Sequence, residues 1–279
     1  MRCKMKVVHT ISDLNNQLIN YKLKSIGFVP TMGSLHDGHI SLIQKAFLKA
    51  EIVVVSIFVN PTQFNDPKDF SNYPVNYNED LEKLEKQNVD VVFIPKSVAE
   101  LYSNEKPLNV DLNGIDEVME GFHRKGHFNG VVRVLNLLFS LIKPQYAFFG
   151  EKDYQQLMVV KSMAKNHFKN IEIIGCPTKR DQNGLAMSSR NLLLKKEDHN
   201  KAIKLIKLLE DSKHMFQTHD RKFIEDYCLS KLKKFSIPEY FEIREISYLK
   251  RVEDKTTKQR AFVAAKIGDI RLIDNIEIN

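Results

Sequence analysis

His36 and His39 stand three positions apart, with Gly38 between them and Gly33 shortly before. At the start of a helix, histidines at this spacing lie on one face and could both donate hydrogen bonds to one anion. The glycines would let backbone approach a phosphate without a Cβ in the way. A His-x-x-His pair without further ligands is a poor zinc site, so the glycines favour phosphate. Elsewhere the residues able to do chemistry are the run Gly150-Glu151-Lys152-Asp153, the amides Asn60, Gln63 and Gln156, and Met187-Ser188-Ser189-Arg190. A carboxamide both donates and accepts. Arg190 can fork to phosphate oxygens, with the two serines as further donors. His123 and His127 form an i, i+4 pair, but Arg124 and Lys125 between them would repel a cation. A phosphate-facing gate loop, with Arg124 and His127 as its working residues, is the better reading.

The elements around these residues predict where they sit. The apolar run Ile26–Val29 stops at Pro30, and a helical pattern of Ile40, Ile43, Phe47 and Ala50 begins after Gly38. That is a strand, a loop and a helix N-terminus, where free backbone N–H groups and the helix dipole favour an anion. Thr10 with Asp13 resembles a capping box for a helix to about Lys22. Residues 52–59 form a continuous β-branched and aromatic run, read as a strand buried on both faces. Asn60-Pro61 ends it, and residues 62–77 read as an irregular loop. Asn78 is placed as the cap of the next helix, Val89–Ile94 as a strand, and residues 115–120 as a short helix. An apolar helix is expected from Val131 to Ile142, a strand over Tyr146–Phe149, a helix from Tyr154 to about His167, and a strand over Ile171–Gly175.

Strand and helix therefore alternate from residue 25 to 175, which predicts an α/β fold, a Rossmann-like doubly wound parallel sheet. Ligands bind such sheets at the carboxyl ends of the strands. The marked segments 31–39, 60–63 and 150–153 all fall there. After Cys176-Pro177 the pattern changes. A loop or hairpin spans 178–191, helices cover about 197–213 and 221–234, and strand-like runs cover 240–249, 261–267 and 270–278, with Gly268-Asp269 as a hairpin turn. We therefore expect two domains, 1–176 for nucleotide and substrate and 177–279 as a smaller α+β domain carrying the Met187–Arg190 loop. No motif is assigned after about Lys213.

The chain has 279 residues, 43% of them hydrophobic, and a formal charge of +7. The positive balance suits anionic partners. The lysines are spread along the chain, without a long basic run of the kind a nucleic-acid-binding tail shows, so no nucleic-acid partner is expected. Three cysteines, Cys3, Cys176 and Cys228, are widely spaced and form no CxxC. This argues against a disulfide framework or structural zinc and for a reducing compartment. The N-terminal MRCKMKVVHT has no apolar segment of signal-peptide length, and the longest apolar run falls far short of the roughly 20 residues of a spanning helix. A cytoplasmic protein without a membrane partner is expected.

Taken in order, Pro30–His39, Phe58–Phe64, His127–Val131, Phe148–Gln156 and Gly184–Asn191 give a closer identification. Pro30-Thr31-Met32-Gly33-Ser34-Leu35-His36-Asp37-Gly38-His39 resembles the HxGH signature of the nucleotidyltransferase superfamily that includes class I aminoacyl-tRNA synthetases. With the other segments the chain resembles the pantothenate synthetase family (pantoate–β-alanine ligase, AMP-forming), over about residues 10–200. The resemblance implies that ATP and (R)-pantoate give pantoyl adenylate and pyrophosphate, and that β-alanine then gives pantothenate and AMP, in coenzyme A biosynthesis. It implies Mg²⁺ with no direct protein ligand, and a homodimer. It assigns ATP to Met32, Gly33, Ser34, Leu35, His36, Asp37, Gly38, His39, to Gly150, Glu151, Lys152, Asp153, and to Lys179, Met187, Ser188, Ser189 and Arg190. His39, His36 and Lys152 would be catalytic. Gln63 and Gln156 would bind pantoate and Gln63 also β-alanine, with Asn60, Arg124 and His127 in support.

Lys179 falls where the family has a valine that meets adenine through its backbone, and Ser34 and Asp37 replace Ala and Glu. The competing readings are another HxGH adenylyl- or cytidylyltransferase, which would leave a nucleotide-containing product, and a basic nucleic-acid-binding protein, whose binding would be salt-sensitive.

Overall fold

In the computed structural model, which describes residues 4–103, 105, 106 and 108–279, the apolar run Ile52–Ile57 is strand β3, and every residue in it is buried. It lies inside a six-stranded parallel sheet. The other strands are β1 (Lys6–Val8), β2 (Ile26–Thr31), β4 (Val91–Phe93), β5 (Tyr146–Gly150) and β6 (Glu172–Cys176), in the order β1-β4-β3-β2-β5-β6. From β2 the chain steps outward to β3 and β4 on one side. It then returns to place β5 and β6 on the other, so the switch point lies between β2 and β5.

Both faces of the sheet are covered. The helices of this half are α1 (Ile11–Ile19), α2 (Asp37–Phe47), α3 (Pro67–Ser71), α4 (Tyr77–Lys86), α5 (Val98–Tyr102), α6 (Met119–His123), α7 (His127–Ile142) and α8 (Tyr154–His167). The apolar stripe of α7, with Val131, Leu135, Leu138 and Phe139, packs with α1 and α8 against Phe28, Val54 and Phe149. On the other face, Leu42, Ile43 and Ala46 of α2 pack with Leu84 of α4 against Val29, Val53 and Val55.

The C-terminal part is built from α9 (Lys196–Ala202), α10 (Lys204–Met215) and α11 (Arg221–Leu232), and from an antiparallel sheet of β7 (Ile237–Glu245), β8 (Gln259–Ile267) and β9 (Ile270–Glu277). Leu205 and Leu209 of α10, with Ile224 and Cys228 of α11, bury one face of that sheet. Gly268, with φ +59°, makes the β8–β9 turn, a conformation open to glycine without strain.

Several local expectations are corrected. Strand β2 continues through Pro30 to Thr31, paired to Ser56 and Ile57 of β3. On the side of β5 its ladder covers only Gly27 and Phe28. Proline has no N–H to give a neighbour, and β2 and β5 part where it stands. The cap of α4 is Asn76, not Asn78, because the Asn76 side chain accepts from the Glu79 amide. The segment 62–77 holds a 3₁₀ turn (Pro61–Gln63) and α3, which is capped by Asp66. One helix expected over 197–213 is two. The turn at Ile203 lets Ala202, Leu205, Ile206 and Leu209 share one apolar cluster. Strand β7 runs over 237–245 rather than 240–249.

No helix among the described residues is long and apolar enough to cross a membrane. Cys176 and Cys228 are free and buried, and Cys3 lies outside the described residues.

Candidate active site

The parting of β2 from β5 opens a cleft at the carboxyl ends of the strands. Pro30, Thr31 and Met32 form one wall, and Gly150, Lys152 and Asp153 the facing one. The turn after β2 delivers His36 and His39, and the turn after β5 delivers Lys152, so both sides of the switch point contribute.

His36 is the N-cap of α2, an unusual residue for that place. Its Nδ1 accepts from the Gly38 amide at 3.1 Å, while the His39 Nδ1 accepts from the His36 amide at 3.3 Å. The rings lie 4.1 Å apart between centroids. An Nδ1 that accepts carries no proton, so each neutral ring holds its proton on Nε2. Burial, then the Lys152 ammonium, lowers the His36 pKa to about 4. Burial, then His36, holds His39 well below the ordinary value. The pair is therefore two uncharged N–H donors at neutral pH. A Cβ on Gly38 would lie 2.7 Å from the His36 ring, so glycine is what makes imidazole capping possible.

The expectation of free backbone N–H groups in this loop is overturned. The Gly33 amide donates to Thr31 Oγ1, and the Ser34 and Leu35 amides donate to the two oxygens of Asp80 at 2.8 and 2.6 Å. Asp80 is a buried carboxylate on α4; burial raises its pKa against the two amides, which lower it. The Lys83 ammonium also binds Leu35 O at 2.7 Å. Gly33 and Ser34 both have positive φ, 83° and 51°, a shape costly for serine, and Asp80 holds it. Gly33, Ser34, Leu35, Asp37 and Glu151 do not line the cleft, whereas Met32, His36, Gly38 and His39 do.

The amides form a second cluster. Asn60 Oδ1 accepts from Thr62 N, Thr62 Oγ1 and Tyr102 OH, and its Nδ2 donates to Gly130 O at 3.0 Å and to Gln63 Oε1 at 3.3 Å. Among the described residues Gln63 Nε2 meets only the Met32 sulfur, a weak acceptor, so it has donor capacity left for a ligand. Gln156 lines the same cleft. Its neighbour Gln155 is spent on Ile115 O, Val118 O and the Glu120 amide.

Arg124 and His127 line the cleft, and both also reach the backbone of Gln63. His127 Nδ1 donates to Gln63 O at 2.8 Å, and Arg124 Nη2 reaches the same carbonyl at 3.3 Å. Burial, then Arg124, lowers His127 to about 4. Both brace Gln63.

Met187, Ser188, Ser189, Arg190 and Lys179 close the cleft from the C-terminal side. An Arg180–Ala186 bridge and a Met187 amide bond to Lys179 O at 2.9 Å make the hairpin that carries them. Ser189 Oγ donates to Ser34 O at 3.1 Å, tying this loop to the histidine turn. Arg190 is bound to Asp69 of α3, and lies over the Tyr73 ring at 5.6 Å. Lys152 Nζ is 3.1 Å from Asp153 Oδ1, and Arg124 is 3.6 Å from Glu120. These three cations of the cleft each have an acid beside them.

The Pantoate-beta-alanine ligase family model matches residues 6–277. The chain belongs to that family. A pantothenate synthetase of Christiangramia forsetii is 43% identical over 261 residues, 92% of each chain. One of Bacteroides fragilis is 41% identical over 281 residues, covering 98% of this chain and 99% of its own. The crystal structure of pantothenate synthetase from Thermus thermophilus has a TM-score of 0.91 at 35% identity, covering 98% of this chain and 99% of that one. The pantoate–β-alanine ligase of Francisella tularensis, complexed with β,γ-ATP and β-alanine, has a TM-score of 0.77 at 35% identity over 98% of each chain. The chain is thus an enzyme of the pantoate–β-alanine ligase type.

Sequence reasoning missed several residues of the ligase cleft. Asp69, Tyr73, Glu120, Tyr240, Asp274 and Asn275 either line it or hold a residue that does, and Asp80 fixes the histidine turn from behind through the Ser34 and Leu35 amides.

Proposed function

We propose that this chain joins (R)-pantoate to β-alanine through a pantoyl adenylate, with ATP as the activating substrate. The pantoate carboxylate oxygen attacks the α-phosphorus of ATP, and the bond to pyrophosphate breaks. The β-alanine nitrogen then attacks the acyl carbon, loses a proton to solvent, and AMP leaves with the electron pair of the acyl–oxygen bond. The observation that supports this best is the neutral imidazole pair facing Lys152 across the switch point, with Gln63 and Gln156 in the same cleft.

His36 and His39 would donate Nε2–H to phosphate oxygens, most strongly as charge builds in the transition state. Lys152 supplies the fixed positive charge, and Arg190 joins it by leaving Asp69. Gln63 holds pantoate and later the incoming amine, with Asn60, Arg124 and His127 fixing its place. Gln156 holds pantoate from α8, and Lys179 offers backbone to adenine.

No cluster of three ligating side chains occurs among the described residues. Mg²⁺ would be carried on the triphosphate, as that ion prefers, and would neutralise phosphate charge there. We further propose a homodimer, a cytoplasmic location, and a division into residues 1–176 and 177–279. Light scattering tests the dimer against the 32.4 kDa of one chain.

The deciding measurement is AMP release from ATP and Mg²⁺ with D-pantoate, with and without β-alanine. Sustained release that needs both is expected, with about one equivalent of pyrophosphate from pantoate alone. A stable nucleotide adduct in place of AMP would overturn the reading.

A further inference from the structure

The C-terminal sheet enters the cleft through β9. Asn275 is buried, and its Nδ2 donates to two consecutive carbonyls, Glu151 O at 3.0 Å and Lys152 O at 2.8 Å. Its Oδ1 accepts from Arg260 Nη1 at 2.6 Å, and Arg260 Nη2 continues to Glu151 Oε2 at 3.4 Å. The Arg260 guanidinium lies 4.2 Å from the centroid of the Tyr154 ring. The three-residue turn Glu151–Asp153 is thus gripped at two backbone oxygens, at one side chain, and at the aromatic residue that follows it.

The turn has little else to hold it. It has no side-chain cap of its own, and Asp153, the N-cap of α8, makes no capping bond. A carboxamide alone among uncharged side chains brings two N–H donors on one nitrogen and an acceptor beside them. Aspartate at this position would set carboxylate oxygens against two carbonyls. The neighbouring residue does parallel work. Asp274 binds Arg180 at 2.6 and 3.0 Å, and Arg180 stands at the base of the hairpin that carries Met187–Arg190.

We propose that Asn275 is a positioning residue for the Lys152 ammonium, fixing through the Glu151 and Lys152 carbonyls where that charge meets the nucleotide phosphates. This rests on the reading of Lys152 given above. Electrostatic catalysis depends on placement, and a shift of about 1 Å can cost on the order of 100-fold. The second domain would therefore complete the activation step rather than only wall off the cleft.

The test is a double-mutant cycle on pantoate-dependent pyrophosphate release in a single turnover, with Asn275→Ala, Lys152→Ala and both together, and with Tm recorded for each. Asn275→Ala should slow release by about 10- to 100-fold in the wild-type background and by less than about 3-fold when Lys152 is already alanine. Asn275→Ser, which keeps one donor, should fall between, and it carries the cycle if the alanine variant does not fold. Equal losses in both backgrounds, or no loss, would overturn the proposal. The same cycle is run on ATP affinity by calorimetry. A wild-type chain that binds ATP but releases no pyrophosphate with pantoate would sink the ligase reading, and the affinity cycle would then decide this one by the same non-additivity. Absence of ATP binding would overturn it.

Discussion

Arg190 and Asp69 meet in a forked ion pair across 121 positions of sequence, with Nη2 3.0 Å from Oδ1 and 2.8 Å from Oδ2. The pair joins the loop Met187–Arg190, whose arginine lines the cleft, to α3. If Arg190 is to reach a triphosphate, it must give up Asp69, so the acid competes with the substrate.

Asp69→Asn should therefore tighten ATP binding by about 2- to 5-fold, the range expected of a half-exposed ion pair. Arg190→Ala should weaken it by about 10-fold or more. Calorimetric titration with ATP and Mg²⁺ checks both. Weaker binding in Asp69→Asn would mean that the pair orders the nucleotide site instead of competing with it.

Capping and donation by His36 can be separated. Asparagine is a strong N-cap but has no Nε2–H at the same reach, so His36→Asn should keep Tm and lose on the order of 100-fold in pantoyl adenylate formation. His39→Ala should lose at least as much. Gly38→Ala, whose new methyl meets the His36 ring, should lose both stability and activity. Rapid-quench assays with thermal melts distinguish the three.

Acid should destabilise the fold through its histidines. His36 and His127 ionise at about 4 in the folded chain against an ordinary 6.5. Between those values the unfolded chain binds more protons. Their contribution is full above about pH 6.5 and is lost as the pH falls toward 4. Tm recorded from pH 7.5 to 4.5 should fall steadily, and less steeply in His36→Asn/His127→Gln. An equal slope in that variant would show that other groups carry the effect.

Glu120 shows the reverse side of burial. Its carboxyl would be raised by desolvation, but Arg271 bonded to it, with Arg124 beside it, holds it at about 2. Arg271→Ala should leave that charge buried without its main partner and cost about 3 kcal/mol or more, read by chemical denaturation. It should also loosen Arg124, and with it Gln63. A loss under about 1 kcal/mol would mean that water or Arg124 replaces the guanidinium.

The sheet and the location of the cleft were legible because continuous apolar runs such as Ile52–Ile57 and glycine-bearing turns at their ends are local signals. The histidine pair was legible for the same reason. The occupied amides of Ser34 and Leu35 were not, because the acid that takes them lies 46 and 45 positions away on α4. Glu120, Arg271 and Asn275 left no sign either. Their partners are set by how β7–β9 pack against the first sheet, which no spacing along the chain records. Pro30 misled in the opposite direction. Its missing N–H ended the ladder to β5 but not the strand, because β3 needs nothing from it there.

The imidazole cap has one more consequence. The Gly38 amide at the positive end of α2 is taken up by Nδ1 of His36. It acts on Nδ1 of His36 and polarises the far N–H of the ring, carrying the helix's field forward by the width of an imidazole with no net charge. Lys152 and Arg190 each stand beside a carboxylate, so under the proposed chemistry an arriving triphosphate would displace a resident counter-ion, and the same carboxylate would take the cation back as pyrophosphate and AMP depart.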